Sequence, residues 1–489
     1  MAFCVPTSMA SFESNINYAS PSHRRTQLGV DVAHVDWRSW KRGNTAIDPS
    51  ELHFTHGVAS GDPWPDSVIL WTRVAPSNRS EVSAAPINGT TPLHSHETEK
   101  FVEADHHPVC VSWEVFEDGQ VGSQAPKASG KAYTTSDIDY TIKAEAKNLQ
   151  PLTVYNYRFT VCDSNNTSPL GRAKTAPAAD DDVSEINLAV FSCSEYSSGY
   201  FNVYGNAARK DKHDWVVHLG DYIYEYGATG ERATVPEENC HTLQADLDDG
   251  LRVWRSFRMG KLLDLIILDT RHYDRSLSPL YNNDDYVDSI SDDPSRTLMG
   301  SRQEKWFYRS LSKSKDRGAV WRLNSRTRLV SDLAWLGTKD YDPETGEGTV
   351  GAEFAGMAVT APLVPHPKTI EPEAGNCSRS MIEQNEEMFW QEGYYRGYFH
   401  LSVTPEKLAA QFFGSPSVAT RNSWDIPLAN FTVFSGQNCL HRPKGGSRAG
   451  SGALKSGEIK HTNLTLDTER NVWEVVGFDQ MHLAQAYSF

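Results

Sequence analysis

The pattern of apolar and polar positions changes character partway along the chain. In the first part, short runs alternate with period two. Ser67–Val74 follows a Gly/Asp/Pro cluster and predicts a strand. PVCVSWEVFED places Val109, Val111, Trp113 and Val115 on one face of another. From residue 186 the runs become continuously apolar. Asn187–Phe191, Trp215–Leu219 and Leu265–Leu268 each end at a polar residue: Cys193, Asp221 and Asp269. A stretch with helical spacing separates the first two. Two buried strands and a crossover helix make a βαβ unit, whose chemistry sits at the C-terminal strand ends. Residues 255–273 predict a hairpin turning at Gly260. Residues 301–323 predict an amphipathic helix, with Trp306, Tyr308 and Leu311 toward the core, and then a strand. Residues 363–390 read as a surface loop. Residues 393–414 read as a strand and then a helix beginning at Thr404 and stopped by glycine. No internal repeat is present.

These elements imply an α/β protein with an N-terminal β-sandwich. A polar arm spans 1–50, an all-β domain 51–177, and an α/β core 186–489, with a linker between. Leu149-x-Pro151-x-Thr153-x-Tyr155-x-Tyr157 resembles the tyrosine corner of immunoglobulin-like and fibronectin-type sandwiches. Cys110 and Cys162 lie in two of its strands. A disulfide across the sandwich is expected; two buried free thiols are the alternative.

The net charge, 47 − 63 = −16, argues against nucleic acid or an anionic membrane surface as the main partner. It leaves a phosphate substrate open, because bound cations reverse the local field. No apolar run reaches the roughly 18–20 residues of a membrane span. The N-terminus as written lacks the basic and apolar regions of a signal peptide. Seven sequons, at Asn78, Asn88, Asn165, Asn166, Asn376, Asn430 and Asn463, lean weakly toward a secretory or extracellular protein. The seven cysteines leave at least one thiol unpaired.

Four residues carry candidate chemistry. Cys193 is a thiolate candidate at a strand end, although a buried structural cysteine is the commoner reading. Asp221, after Gly220, can bridge cations or cap a turn. Tyr224 can give a phenolate to ferric iron or pack with its hydroxyl bonded. Arg271, after Asp269-Thr270, can clamp a phosphate or pair with Asp269. His94, His96, His106 and His107 fit no zinc spacing. The glycine run 445–452 lacks the features of a P-loop.

The segments 56–76 (HGVASGDPWPDSVILWTRVAP), Ser192–Ser194, HLGDYIYEYG (218–227), 255–273, MGSRQEKWF (299–307), VGAEFAGMAVTAP (350–362) and NEEMFWQEGYYRGYF (385–399) together resemble the PhoD-type alkaline phosphatases, in a fungal-looking version. The resemblance implies a fibronectin/Ig-like domain before a metallophosphatase-type αββα two-sheet core. It implies hydrolysis of small phosphate mono- or diesters by metal-activated water, with ferric iron (Fe3+) and calcium (Ca2+) as cofactors. It makes Cys193, Asp221 and Tyr224 metal ligands. Two family segments have no counterpart here, near 246–252 and near 325–331. Asp246, Asp248 and Asp249 are the remnants of the first. Loss of both would remove metal-ligating positions, so the core is expected to be incomplete and metal binding defective. A gene-model truncation, a splice form and a decayed, non-catalytic copy each fit that pattern.

Overall fold

The computed structural model describes residues 14–16, 47–76, 108–134, 140–222, 224, 254–270, 289, 293, 295–325, 330–334, 341–361, 371–442, 452–455, 464–467 and 472–475. Arg271, Asp246, Asp248, Asp249, His94, His96, His106, His107, the glycines at 445–450, most of the N-terminal arm and residues 326–329 of the second junction lie outside the described residues. Two compact units are present: 1–182 with 241–324, and 183–240 with 325–489.

The first unit begins with Leu52–His53 (β1), Val58–Trp64 (β2), Ser67–Arg73 (β3), Ala75–Pro76 (β4), Val109–Glu117 (β5), Ala128–Thr134 (β6), Thr141–Lys147 (β7), Val154–Val161 (β8) and Gly171–Lys174 (β9). Two antiparallel sheets, β2-β3-β7 and β6-β5-β8-β9, share one core. The period-two pattern explains this directly. β5 buries Val109, Val111, Trp113 and Val115, and β7 buries Ile142, Ala144 and Ala146. Each large apolar side chain so buried contributes about 1.5–3 kcal/mol. The predicted tyrosine tie is present: the Gln150 N–H donates to the Tyr155 hydroxyl at 2.8 Å. Gly171 is required where it stands, because a Cβ there would meet the buried Tyr157 ring closer than 3.0 Å.

Cys110 and Cys162 form a disulfide, but not across the sandwich. Cys110 lies on β5 and Cys162 just beyond β8, its neighbour in the same sheet, where the Cys162 N–H donates to Cys110 O at 3.0 Å. The crosslink therefore ties adjacent strands.

Ile186–Phe191 (β10), Asn202–Lys210 (α1) and Trp215–His218 (β11) form the predicted βαβ unit. β10 and β11 run parallel from Leu188↔Trp215 to Phe191↔His218. Helix α1 buries Val203 and Ala207, one turn apart, and ends in Arg209 and Lys210, where cations oppose the helix dipole. β11 departs from expectation. Val216 is 67% exposed, and among the described residues β10 is its one strand neighbour.

Arg255–Met259 (β12) and Leu263–Ile267 (β13) make the hairpin turning at Gly260, in the first unit with Gly300–Asp316 (α2) and Trp321–Ser325 (β14). In helix α2 Trp306 and Leu311 are half-buried as expected, and Trp306 meets the buried Trp254, but Tyr308 is not on the core side. The helix buries Gln303 and Ser314, while Tyr308 is exposed. Gln303 accounts for this orientation, because its amide bonds both the N–H and the carbonyl of Asp269 at 2.7 Å.

The second unit continues with Val330–Ala334 (β15), Thr349–Glu353 (β16), Glu371–Gln384 (α3), Met388–Gln391 (β17), Arg396–Val403 (β18), Lys407–Ser415 (β19), Ile426–Phe434 (β20) and Ala453–Leu454 (β21). Its largest sheet has the order β11-β10-β18-β19-β20, and every pairing except β10–β11 is antiparallel. The fold is thus β-rich with few helices. Two expectations fail here. The 363–390 loop contains α3 and part of β17. The helix expected from Thr404 is strand β19, because Leu408, Ala410 and Phe412 are buried at period two while Lys407 and Gln411 face solvent. Thr404 closes the hairpin instead, its N–H donating to Lys407 O at 2.9 Å.

Candidate metal centre

The centre is built where β10 and β11 end side by side. The Leu219 N–H continues the ladder to Phe191 O at 2.8 Å. The next bonds run the other way: Cys193 N–H to Gly220 O at 3.1 Å and Ser194 N–H to Asp221 O at 2.9 Å. This reciprocal clasp requires both chains to turn sharply. Cys193 takes φ +56°, Gly220 φ +121° and Asp221 φ +50°. Left-handed backbone costs a non-glycine residue about 1 kcal/mol or more, and such residues cluster at functional sites.

The result is a convergence of three donors. The Cys193 thiol lies 3.4 Å from Asp221 Oδ2, and the Tyr224 hydroxyl donates to the same oxygen at 3.2 Å. Cys193 is 5% exposed. Burial pushes the Tyr224 phenol far above its ordinary pKa, and the neighbouring thiol and carboxylate raise it further. Without a cation Tyr224 is therefore a proton donor to Asp221. Of the sequence-predicted ligands, Cys193, Asp221 and Tyr224 are brought together.

Sequence reasoning missed a second layer. His218 Nδ1 accepts from the Gly220 N–H at 3.4 Å, which leaves Nε2–H to donate to Ser194 Oγ at 2.9 Å. Ser194 in turn shares a short hydrogen bond with the Tyr204 hydroxyl. Burial lowers His218 to about 4, with Asp221 opposing the shift, so the ring is neutral at pH 7. This chain links β11, the residue after Cys193 and helix α1. His218 two residues before Gly220 was the available signal, since the parallel register sets it beside the end of β10.

A third track closes the other side. Ser192 bridges Ala358 in parallel, and Val359 N–H donates to Ser192 O at 2.8 Å. Thr360 and Ala361 N–H groups both reach Cys193 O at 3.3 Å, and Ser192 Oγ donates to the carbonyls of Gly356 and Met357 at 3.1 Å. Behind this layer Ala189, Phe191, Val203, Ala207, Val359 and Tyr398 form a buried cluster.

Cys193, Asp221 and Tyr224 could hold one metal ion, since a thiol, a carboxylate and a phenol converge. They do not supply the roughly six to eight oxygens of a calcium shell. Among the described residues, no group of three or more His, Cys, Asp or Glu side chains is gathered to hold a metal.

Comparison with known proteins agrees with this architecture. Residues 40–177 match the PhoD-like phosphatase N-terminal domain, and residues 188–246 and 242–335 match the PhoD-like phosphatase domain. Alkaline phosphatase D of Bacillus subtilis (strain 168) is 26% identical in an alignment covering 85% of this chain and 87% of that protein. The solved structure of PhoD superposes with a TM-score of 0.60 at 23% identity, covering 85% of this chain and 95% of that one, which supports the same fold. The matched regions come in family order and span more than half of the chain, which belongs to the PhoD-like phosphatases.

Proposed function

We propose that this chain is a phosphoric-ester hydrolase by lineage, directed at small phosphate mono- or diesters, that retains one wall of its metal site and turns over slowly or not at all. The observation that carries the first half is the convergence of Cys193, Asp221 and Tyr224 at the ends of β10 and β11. These three would hold one ferric ion. When bound, that ion would polarise a phosphoryl oxygen and acidify water. The chain's own contribution is placement: the Cys193–Gly220 and Ser194–Asp221 clasp fixes the donors, and His218 and Tyr204 hold Ser194 beside them.

Three observations support the second half. The alignment with the B. subtilis protein runs over 540 positions, more than the 489 residues here, so that protein carries stretches without counterparts in this chain. The phosphatase-domain match breaks into two pieces that meet at 242–246, next to the junction inferred near 246–252. The two compact units exchange chain at 240/241 and at 324/325, beside both inferred junctions. On this reading an Ig-like domain at 51–177 precedes an incomplete two-sheet core at 186–489. The Cys110–Cys162 disulfide, with the sequons, supports an oxidising, secretory compartment.

The second reading, a non-catalytic binding protein, is favoured by the same long alignment. One experiment separates them: purify the chain, measure bound iron, and assay p-nitrophenyl phosphate and bis-p-nitrophenyl phosphate. Iron near one per chain with slow turnover supports the proposal. Turnover equal to that of the B. subtilis phosphatase would remove the incomplete-site reading. Absence of both iron and turnover would favour the binding protein.

A further inference from the structure

One cation near the centre has no assigned task. Arg396 opens β18, which pairs with β10 from Ile186↔Val403 to Val190↔Phe399. Three further places in that register set Arg396 level with Cys193, beyond the last paired residues. The strands are not in contact there, because the 356–361 segment runs between them. Ala358 bridges Ser192 on one side, and its carbonyl accepts from the Gly397 N–H at 2.9 Å on the other. Cys193 and Arg396 therefore flank a single intervening track, at two inter-strand spacings, or about 10 Å between backbones. That gap lies within the reach of an extended arginine side chain, whose charge acts on the Cys193 thiol. It suits a long cationic side chain reaching toward a ligand held at the thiol.

The guanidinium is also held ready. Glu392 Oε1 accepts from the N–H groups of Tyr394 and Tyr395, at 2.7 and 3.1 Å, and so shapes the turn before Arg396. Arg396 Nη1 donates to Tyr394 O at 2.7 Å, which fixes one end of the fork. Among the described residues, its Nε and Nη2 hydrogens have no protein acceptor. This Nε/Nη2 edge is the pair that grips two oxygens of a carboxylate or phosphate in parallel. Burial holds the group below its ordinary pKa, while Glu392, Tyr394 and Cys193 pull it back up, so the charge stays within electrostatic reach of the Cys193 sulfur.

We propose that Arg396 anchors the phosphate group of the ligand, presenting its Nε/Nη2 edge to two phosphoryl oxygens beside Cys193, Asp221 and Tyr224. This rests on the reading of those three residues as the phosphate-ester site. The same role was open to Arg271 from sequence alone. Only Arg396 among the two has a described position.

Binding of inorganic phosphate, measured by titration calorimetry or phosphorus NMR line broadening, tests it without requiring turnover. Arg396→Met should weaken phosphate binding at least tenfold. Arg396→Lys keeps the charge but loses the fork and should fall between Met and wild type. Iron content and Tm should match wild type in at least the lysine variant. Unchanged phosphate affinity in both variants would overturn the proposal. So would wild-type protein that binds no phosphate at millimolar concentration. Loss of iron together with phosphate affinity in both variants would instead assign Arg396 to supporting the thiolate, and would also overturn it. Failure of the hydrolase reading shows separately, as wild-type protein that holds no iron and turns over neither ester, yet still binds phosphate through Arg396.

Discussion

Gly397 should be the least replaceable small residue around the centre. Its backbone is not left-handed, so conformational freedom is not what it supplies. It supplies space. A Cβ at 397 would sit closer than 3.0 Å to the Phe413 carbonyl oxygen on β19 and 3.0 Å from the Met357 methyl. The first obstacle is backbone within the continuous β18–β19 ladder, where Gly397 pairs with Gly414 and Tyr398 with Phe413. It cannot swing away as a side-chain tip can. The β18–β19 backbones must separate by roughly an ångström, or the 356–361 segment must lift. Overpacking of a dense interior costs about 1–3 kcal/mol, and a backbone obstacle belongs at the upper end. At about 2–3 kcal/mol, a unit of this size should lose roughly 5–10 °C in Tm. Gly61→Ala is the control, because nothing lies within 4 Å of a Cβ there. Thermal unfolding of both variants, followed by tryptophan fluorescence, decides the matter. A Gly397→Ala protein that melts within 1 °C of wild type would refute the close-approach argument.

Further outcomes follow from the same structure. Tyr155→Phe removes the acceptor of the Gln150 N–H and should cost about 1–2 kcal/mol in urea unfolding. Replacing Cys110 and Cys162 together by alanine opens a link between residues 52 positions apart and should cost about 2–4 kcal/mol, with no loss for the wild type in reductant that leaves the bond intact. Burial lowers His218 and His213 to about 4, so both are neutral when folded and take up protons on unfolding below their ordinary value of 6.5. Their contribution is whole above about pH 6.5 and fades as pH falls toward 4, so Tm should drop across that window. His218→Gln should flatten the drop. Cys193→Ser should reduce bound iron several-fold, measured by metal analysis, and an unchanged iron content would remove the thiol from the ligand set.

The local periodicities made much of this molecule legible. β3, β5, the Gly260 hairpin and the β10–α1–β11 unit fall where alternation and apolar runs placed them. Cys193, Asp221 and Tyr224 converge because strand ends in parallel register are neighbours, which follows from sequence order. What escaped was decided by tertiary partners. KLAAQFFG is compatible with helix and strand, and β18 and β20 on either side select the strand. Helix α2 turns its tyrosine outward because Gln303 finds both backbone groups of Asp269, a contact no periodicity reports. The disulfide partners were identifiable, but sheet order decides whether strands face or flank each other. Arg396 was hidden for a similar reason: its level with Cys193 exists only once the long-range β10–β18 register is known.

The left-handed backbone at Cys193 and Asp221 has a consequence for anyone engineering this protein. Glycine at either position would relax a conformation that a side chain makes expensive, and would delete a donor in the same stroke. A library sorted for thermal resistance alone should therefore enrich Cys193→Gly and Asp221→Gly and drift away from metal. Two of the positions that a stability screen would reward must therefore be frozen if the centre is to be kept or rebuilt.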